Sequence, residues 1–412
     1  MSADATPMSP RYRWFVTGLL TVLALLNYAD RAVIAAVLPL IRTELGLSEV
    51  MLGLLSSVFL WTYALGSPAS GYLADRLPRV RVILWSLGSW SVATLLAGIC
   101  ANAQQLLAAR VLLGLSQCAF LPAVVALTSE FQPPARRALA IVIPLAGANL
   151  GFVVGSVLGG FSGDHFGWRP VFFFLGLAGL ALVVVCQFAL RPLAAARASV
   201  AVKSPIAPLR DLRAIFSVRS YVILLLESSS IASANWVLLF WLAFFFRETF
   251  HLTLTGAAFA GTFALQLAAT AGYLLGGGFS DRFANGRRER RMLFQCFCYF
   301  CAAPFLLVFA FPVGLAWLSA SILIFSLFRG LGSSTDQVMV CEILPPHLRA
   351  TGLGLQNAIN TAIGAFGVFL AGYLLRHFTL AQMFACLSIP IAVGASLNYV
   401  GYRWFLARDL ID

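Results

Sequence analysis

Long apolar segments recur along this chain from one end to the other, and no other feature limits its possible folds as strongly. They fall at 14–41, 51–74, 82–101, 105–130, 138–163, 170–191, 218–246, 256–279, 292–311, 315–342, 351–375 and 380–405. A helix needs roughly 20 apolar residues to cross the hydrocarbon core of a bilayer. The sequence therefore predicts an all-α polytopic membrane protein with twelve transmembrane helices, numbered here as spans 1 to 12.

The composition excludes soluble alternatives. Hydrophobic residues make up 60% of the 412 residues and charged residues only 11%, whereas an ordinary soluble domain carries about 25% charged residues. A water-soluble fold has no place to bury that much apolar surface. Soluble enzymes, nucleic-acid-binding proteins and disordered chains are therefore excluded, and the bilayer itself is an expected partner.

The basic residues predict the orientation in the membrane. The formal net charge is +12, and its arginines sit in short clusters between the spans. Cytoplasmic loops carry an excess of Lys and Arg. With a cytoplasmic N-terminus, inside loops hold 21 basic residues and outside loops 4, while Arg31, Arg110 and Arg329 lie within spans. We therefore expect a multi-pass protein of the inner or plasma membrane with both termini cytoplasmic and no nucleic-acid partner.

The spans divide into two similar halves. We expect an N-terminal six-helix bundle over 1–191, a polar cytoplasmic linker over 192–217 and a C-terminal six-helix bundle over 218–412. The motif Gly71-Tyr-Leu-Ala-Asp75-Arg76 recurs 206 residues later as Gly277-Gly-Phe-Ser-Asp281-Arg282. Similarly, Glu130-Phe-Gln-Pro-Pro-Ala-Arg-Arg137 recurs 212 residues later as Glu342-Ile-Leu-Pro-Pro-His-Leu-Arg349.

Both repeated motifs lie in loops that the charge pattern assigns to the cytoplasm. A glycine allows two helices to approach closely, and charged residues at helix ends can pair or stabilise the helix termini. We interpret the motif residues as cytoplasmic gating groups rather than substrate ligands. They are Gly71, Asp75, Arg76, Glu130, Arg137, Asp281, Arg282, Glu342 and Arg349.

Over essentially its whole length the chain resembles the major facilitator superfamily. The resemblance rests on the six-plus-six topology, the charged middle loop, the motif at Gly71, and Arg110-x-x-x-Gly114 in span 4. A glycine ladder in span 5 also fits, although Ser156 stands where the antiporter form of that motif has proline. The resemblance implies two pseudo-symmetric bundles that rock about a central site and so give alternating access.

Shorter motifs in the N-terminal half resemble the organic anion:cation symporter branch, which includes hexuronate, galactonate and glucarate transporters. They are Asn27-Tyr28-Ala-Asp30-Arg31, Glu44-Leu-Gly-Leu-Ser48, Trp61-Thr-Tyr63, Trp90-Ser91 and Ala109-Arg110-x-x-x-Gly114. This resemblance implies that Tyr28, Tyr63 and Asn357 contact the ligand, with Asn149 in the same region. Spinster-like lipid transporters share several of these features. Both groups usually have a glutamate in span 4 where this chain has Gln117.

Asp30 and Arg31 are the first charges within a span. A charged side chain at the helix centre costs roughly 2.5–3.5 kcal/mol on insertion scales, so such residues are functional candidates. Arg31 suits a carboxylate ligand because its planar fork donates two parallel hydrogen bonds, and Asp30 suits a proton carrier. The alternative is a buried ion-pair network that only locks helices together. Gln117 can hold a hydroxyl or a carboxylate but cannot titrate, or it only bonds a neighbouring helix.

The C-terminal half carries Glu227 in span 7 and Arg329 and Asp336 in span 10. By the 212-residue offset Arg329 is the repeat partner of Gln117, which predicts a place near the cavity and a substrate contact. Arg329 and Asp336 share one helix face, and Glu227 is a candidate partner of Arg329. Glu227 and Asp336 are candidate proton carriers that compete with Asp30. The alternative is again a network between helices.

No catalytic constellation, metal cluster or cofactor motif occurs in the sequence, so we expect neither an enzyme nor a cofactor. The leading hypothesis is a monomeric secondary transporter that moves a small organic anion, such as a sugar acid, together with protons. A transporter or exporter of lysolipid or another amphiphile is the alternative. A membrane enzyme lacks its catalytic groups here, and a sensor lacks a sizeable soluble domain.

Overall fold

The computed structural model describes residues 9–196, 209–345 and 348–410, and every regular element in these ranges is helical. Twelve helices are long and apolar enough to cross a membrane, and each overlaps one of the predicted spans. The predicted all-α fold class with twelve spans is confirmed. Helices prevail because a lipid-exposed backbone has to satisfy its hydrogen bonds within its own segment.

The first half contains spans 1 to 6. Their helices run over Pro10–Leu45, Glu49–Arg76, Arg79–Ile99, Ala103–Gln117 with Phe120–Phe131, Pro134–His165 and Arg169–Ala189. A short helix, Arg191–Ala196, follows. Span 1 begins at the Ser9 cap, whose hydroxyl accepts the Tyr12 N–H, and ends at Gly46 with a φ of 61°. A glycine adopts this left-handed conformation without steric cost.

The second half contains spans 7 to 12. After the short helix Leu209–Ser217, their helices run over Arg219–Phe250, Leu254–Ala284, Arg290–Leu307 with Val308–Ala310, Leu315–Ser333 with Asp336–Ile343, Arg349–Leu374, and Leu380–Cys386 with Ser388–Trp404. The chain ends with the turn Leu406–Asp409. The middle of the predicted linker, residues 197–208, lies outside the described residues.

Spans 4, 10 and 12 are each divided into two helices, which the apolar pattern does not predict. Two of the breaks are explained by proline, which has no N–H and whose ring collides with the carbonyl four residues earlier. Pro122 faces the Cys118 carbonyl in this way, and Pro390 faces that of Cys386. In span 10 the hydroxyls of Ser334 and Thr335 bond carbonyls three residues back, and such bonds compete with the helical pattern.

The two bundles use the same helix pairings. In the first, span 1 packs on span 5, span 2 on span 4, and span 3 on spans 4 and 6. In the second, span 7 packs on span 11, span 8 on span 10, and span 9 on spans 10 and 12. Between the bundles, span 2 packs on span 11 and span 5 on span 8. The sequence repeat is therefore also a structural repeat.

The bundles contact one another tightly at the end of the spans that the charge pattern assigns to the outside. A Cβ on Gly372 would lie 2.5 Å from the Gly53 Cα, and a Cβ on Gly160 would lie 2.7 Å from the Thr255 Cα. Small residues allow backbones to approach in this way within a membrane. The Asp164 carboxylate accepts the N–H groups of Leu254 and Thr255, each at 2.8 Å, and so caps span 8 from the opposite bundle. The predicted outer end is closed.

Replacing Gly372 with alanine should open this end, because the new Cβ would collide with the backbone of Gly53. We expect spin labels at the outer ends of spans 2 and 11 to report a longer-distance population in pulsed electron resonance. Gly354→Ala is the matched control, because a Cβ at this position of the same span meets nothing within 4 Å. Equal distance distributions for both variants would contradict the view that the close contact of Gly372 with Gly53 keeps this end closed.

Candidate functional site

Arg31 lies in the middle of span 1 and is 3% exposed. Its Nε donates to Gln117 Oε1 of span 4 over 2.8 Å, and a terminal nitrogen donates to Asn27 Oδ1 over 3.0 Å. Asn27 is one turn earlier on the same helix, so its amide is positioned by the helix itself. The guanidinium is thus held by neutral carbonyl oxygens.

Aromatic rings enclose the same guanidinium. Its Cζ lies 4.4 Å from the ring centroid of Tyr28, 4.6 Å from that of Tyr63 and 5.2 Å from that of Phe59. The negative face of an aromatic ring attracts a cation, and the attraction strengthens when water is excluded. These rings orient Arg31 without neutralising it, because they carry no net charge.

The amides that hold Arg31 expose unused donors. The Nδ2 of Asn27 and the Nε2 of Gln117 are buried and have no hydrogen-bond partner, because each amide uses its oxygen on Arg31. Buried polar groups are nearly always paired, so unpaired ones require an explanation. Two buried N–H₂ groups beside a guanidinium form a site with many donors and few acceptors. An oxyanion is the kind of ligand that satisfies such a site.

Asp30 faces a different set of groups from its neighbour Arg31. It is 1% exposed, and neither carboxylate oxygen makes a well-formed hydrogen bond. The Thr94 hydroxyl of span 3 and the guanidiniums of Arg110 and Arg31 act on it. All three nitrogens of Arg110 are also unpartnered, and its Cζ stacks 5.0 Å from the Phe59 centroid. Asp30 and Arg110 are therefore neighbouring buried groups without a hydrogen bond between them.

The aromatic wall continues from Tyr28 into the other bundle. Tyr28 packs edge-on against Phe152 of span 5 at 5.0 Å, and Phe152 packs against Trp236 of span 7 at 6.2 Å. Beside it, the predicted contact Asn149 donates to Thr270 of span 8 over 3.1 Å. Asn357 of span 11 is exposed. The Arg31 site therefore lies next to the interface between the bundles.

The charges of the C-terminal half do not pair as the sequence suggested. Among the described residues Arg329 forms no salt bridge with Glu227 or Asp336, and its Nε is buried without a hydrogen-bond partner. Asp336 accepts a hydrogen bond from the Gln295 amide, and Glu227 faces Asp336. The hypothesis that Glu227 is a partner of Arg329 is not supported by these contacts.

The serines that follow Glu227 bond span 11. Ser229 donates to Asn360 Oδ1 over 2.8 Å, and the Gln356 amide donates to Ser228 over 3.0 Å. Spans 7 and 11 are paired within the C-terminal bundle, so these hydroxyls are used inside it. The sequence reasoning failed here because helix spacing fixes a face but does not identify the neighbouring helix.

The gating motifs form one ion pair at equivalent positions of each half. Arg79 at the start of span 3 contacts Glu130 at 3.5 Å, and Arg291 at the start of span 9 contacts Glu342. The two arginines are 212 residues apart in the sequence, and so are the two glutamates. Arg291 also contacts Asp281 at 2.9 Å.

The remaining motif residues behave differently from these pairs. Arg349 donates to the Leu344 carbonyl over 3.0 Å, while Arg137 and Arg282 are exposed. The side chains of residues 68–76 lie outside the described residues, so the predicted roles of Gly71, Asp75 and Arg76 stay predictions.

Sequence reasoning missed two kinds of functional candidate. Arg110 was recognised only as part of a family motif, although it was one of three arginines left within spans. Arg79 and Arg291 count in the sequence only as topogenic charges, although each precedes the glutamate of its half by 51 residues. Across the described parts of the chain, no group of three or more His, Cys, Asp or Glu side chains could hold a metal ion.

Two pseudo-symmetric bundles of six spanning helices, with buried charges beside their interface, define a membrane transport protein. A sequence model described as the Major Facilitator Superfamily matches residues 20–368. The chain belongs to this superfamily. The resemblance seen in the motifs is thereby confirmed.

Several known proteins are similar to parts or all of this chain. A probable galactarate/D-glucarate transporter of Bacillus subtilis (strain 168), GudP, is 31% identical over 44% of this chain and 42% of its own length. The 4-hydroxybenzoate transporter PcaK of Pseudomonas aeruginosa is 31% identical over 45% of this chain and 42% of its own length. Each alignment thus spans less than half of the relative.

Several solved structures match over nearly the full length. One of them is a bacterial homologue of the human lysosomal transporter Spinster, in an inward-facing and unoccupied conformation. The TM-score is 0.82 at 21% identity, and the match covers 98% of this chain and 100% of the other. At this level of identity the similarity concerns the fold alone.

Arg110→Gln should destabilise the protein, because it removes one of the two arginines that act on the buried Asp30 carboxyl. Breaking a buried charge pair from one side costs about 3–5 kcal/mol, so we expect a clear fall in the thermal-unfolding midpoint in detergent. Asp30→Asn together with Arg110→Gln should recover most of the loss. Arg376→Gln, at an exposed arginine, is the control. Additive losses in the double variant would mean that the two groups do not interact.

Proposed function

We propose that the protein is a proton-coupled secondary transporter of a small organic anion that works by alternating access. The observation that carries this proposal is the donor-rich environment of Arg31. Its guanidinium has N–H groups left after its bonds to Asn27 and Gln117, and the two amides and Arg110 present buried N–H groups without partners. Asp30 is the acidic group beside them.

The geometry favours a carboxylate ligand. A guanidinium carries five N–H groups in a planar fork that fits a carboxylate, and two of them are used by Asn27 and Gln117. The remaining N–H groups can bind one carboxylate, with the unpaired amide N–H₂ groups as further donors. Hydrogen bonds to charged groups contribute about 1.5–3 kcal/mol each, so a few such contacts offset much of the cost of dehydrating the anion.

Asp30 provides the coupling to protons. The cluster of Arg31, Arg110 and Asp30 has a net charge of +1 when Asp30 is ionised. Protonation of Asp30 raises this net charge to +2. A more positive cluster attracts an anion more strongly, so a proton on Asp30 and an anion at Arg31 each favour binding of the other. Such a coupling free energy is reciprocal. It is the thermodynamic requirement for symport.

Alternating access rests on the contacts between the bundles. The described contacts close the outer end through the glycines of spans 2, 5 and 11 and through Asp164. Arg31 belongs to the first bundle, whereas Trp236 and Arg329 belong to the second. A ligand that contacts both sides would link the bundles while they rock about the site. Arg329, the repeat partner of Gln117, is the candidate anion contact on the second bundle.

The relatives suggest which acids to test. Their names indicate a sugar diacid in one case and an aromatic acid in the other. The ring wall formed by Tyr28, Phe152 and Trp236 suits a flat aromatic acid, and the amide donors suit sugar hydroxyls. Uptake into proteoliposomes should therefore be compared across both classes, with an uncharged sugar as the control.

Transport of a lysolipid or another amphiphile is the second candidate. It is supported by the fold match to a Spinster homologue. Including lysolipids in the uptake panel separates the two functions. Transport of lysolipid without transport of any carboxylate would overturn the leading proposal.

Arg31→Lys should reduce uptake of an acidic substrate at least tenfold while the protein still folds. A lysine keeps the charge but loses the planar fork that bonds the Gln117 and Asn27 oxygens and the ligand together. A tenfold change corresponds to about 1.4 kcal/mol, less than one charged hydrogen bond contributes. Arg376→Lys, at an exposed position, is the matched control. Normal uptake by both Arg31→Lys and Arg31→Ala would exclude a carboxylate clamp.

Asp30→Asn should abolish accumulation driven by a pH gradient yet preserve substrate counterflow. Exchange requires binding and rocking of the bundles but no net proton movement, so it does not depend on a titratable group at this position. Both rates are measured in proteoliposomes for Asp30→Asn, Glu227→Gln and Asp336→Asn. If Asp30→Asn accumulated substrate normally while one of the other variants did not, the coupling site would belong to the C-terminal half.

A further inference from the structure

A second group of buried polar side chains lies inside the C-terminal bundle. It consists of Glu227 on span 7, Gln295 and Tyr299 on span 9, Asp336 on span 10 and Asn398 on span 12. Glu227 is eight residues from the start of its helix and Asp336 seven from the end of its own, about 10–12 Å along the axis. These are the helix ends that the charge pattern assigns to the cytoplasm.

The hydrogen bonds of this group run in one direction. Asn398 Nδ2 donates to Gln295 Oε1 over 3.1 Å, and Gln295 Nε2 donates to Asp336 Oδ1. An amide that donates through its nitrogen at one end offers its carbonyl oxygen at the other. Asp336 is therefore the acceptor at the end of the chain, as an ionised carboxylate would be. The chain begins at Asn398 Oδ1, which needs a donor.

A protonated Glu227 carboxyl would supply that donor. Asn398 Oδ1 and both carboxyl oxygens of Glu227 are buried and unpartnered, and Asn398 and Tyr299 are the polar groups that adjoin the Glu227 carboxyl. Oxygens without protons cannot bond one another. A proton on Glu227 makes its carboxyl a donor to Asn398 Oδ1 and satisfies both residues at once. Gly394 of span 12 allows this approach, because a Cβ there would lie 3.2 Å from the Glu227 Cα.

The charges around the pair agree with this arrangement. The groups that act on the Glu227 carboxyl are Asp336, Asn398 and Tyr299, and Glu227 in turn acts on the Cys296 thiol. Asp336 also faces Tyr273 of span 8.

Within the described part of the chain, no Arg or Lys side chain forms a salt bridge with either carboxyl. Two buried carboxylates without a cation repel each other, and one proton removes that repulsion.

We infer that Glu227 is a second proton-binding site, protonated in this conformation and donating to Asn398 Oδ1, with Asn398 and Gln295 linking it to an ionised Asp336. This assigns the proton of the C-terminal bundle to Glu227 rather than Asp336. It also gives Gln295 and Asn398 a positioning role. The inference is independent of the proposed function, because it concerns occupancy of the site and not whether Asp30 couples transport.

The test is infrared spectroscopy of purified protein at pH 7, where a protonated carboxyl gives a C=O band that carboxylates lack. Every sample carries Asp30→Asn, so that Asp30 contributes nothing. We expect this band in the Asp30→Asn protein, complete loss of it on adding Glu227→Gln, and its retention on adding Asp336→Asn. Glu248→Gln, at an exposed acid on the same helix, is the matched control and should retain the band.

A further variant tests the partner and does not depend on the folding of Glu227→Gln. Asn398→Leu removes the acceptor, so the band should keep its intensity and move to higher wavenumber, as expected for a carboxyl that loses its hydrogen bond. Absence of the band in the Asp30→Asn protein would overturn the inference. Loss with Asp336→Asn and retention with Glu227→Gln would assign the proton to Asp336 and overturn it equally. No transport is measured, so failure of the proposed function would leave these results unchanged.

Discussion

The buried guanidinium of Arg31 is the interaction on which the rest of this structure depends. Removing a charge from water costs several kcal/mol even after relaxation, and here the cost is offset by the oxygens of Asn27 and Gln117 and by the rings of Tyr28 and Tyr63. All of these partners are neutral. They stabilise the cation without cancelling its charge, and they leave amide donors directed at whatever binds there. An anionic ligand is the natural complement of such a site.

The two halves share a frame but differ in the charges they enclose. The ion pairs Arg79–Glu130 and Arg291–Glu342 occupy equivalent positions, and the helix pairings repeat in the same order. At the buried centres, however, the first bundle has two arginines beside Asp30, while the second holds Glu227 and Asp336, neither of which forms a salt bridge among the described residues. Repetition of the scaffold thus allowed the two interiors to diverge electrostatically.

The contact between the bundles is made largely by backbone. Gly53 meets Gly372, and Gly160 meets the start of span 8, with Asp164 as a polar cap on that helix end. In a membrane, association of helices depends on close packing and hydrogen bonds rather than on a hydrophobic driving force. Such a contact packs closely when the bundles meet. When they separate, it exposes few polar groups that lipid or water cannot satisfy. It suits two bundles that rock about a central site.

The sequence by itself determined the fold class, the number of spans and the internal repeat, because a bilayer fixes the length and polarity of any segment that crosses it. It also identified Arg31, Asp30, Glu227 and Asp336 as candidates, because charges within spans are costly. Only the tertiary structure decided their partners. Arg110 faces Asp30, and Gln295 rather than Arg329 bonds Asp336. Helix periodicity gives the direction of a side chain on its own helix, whereas contacts between helices depend on how distant segments pack.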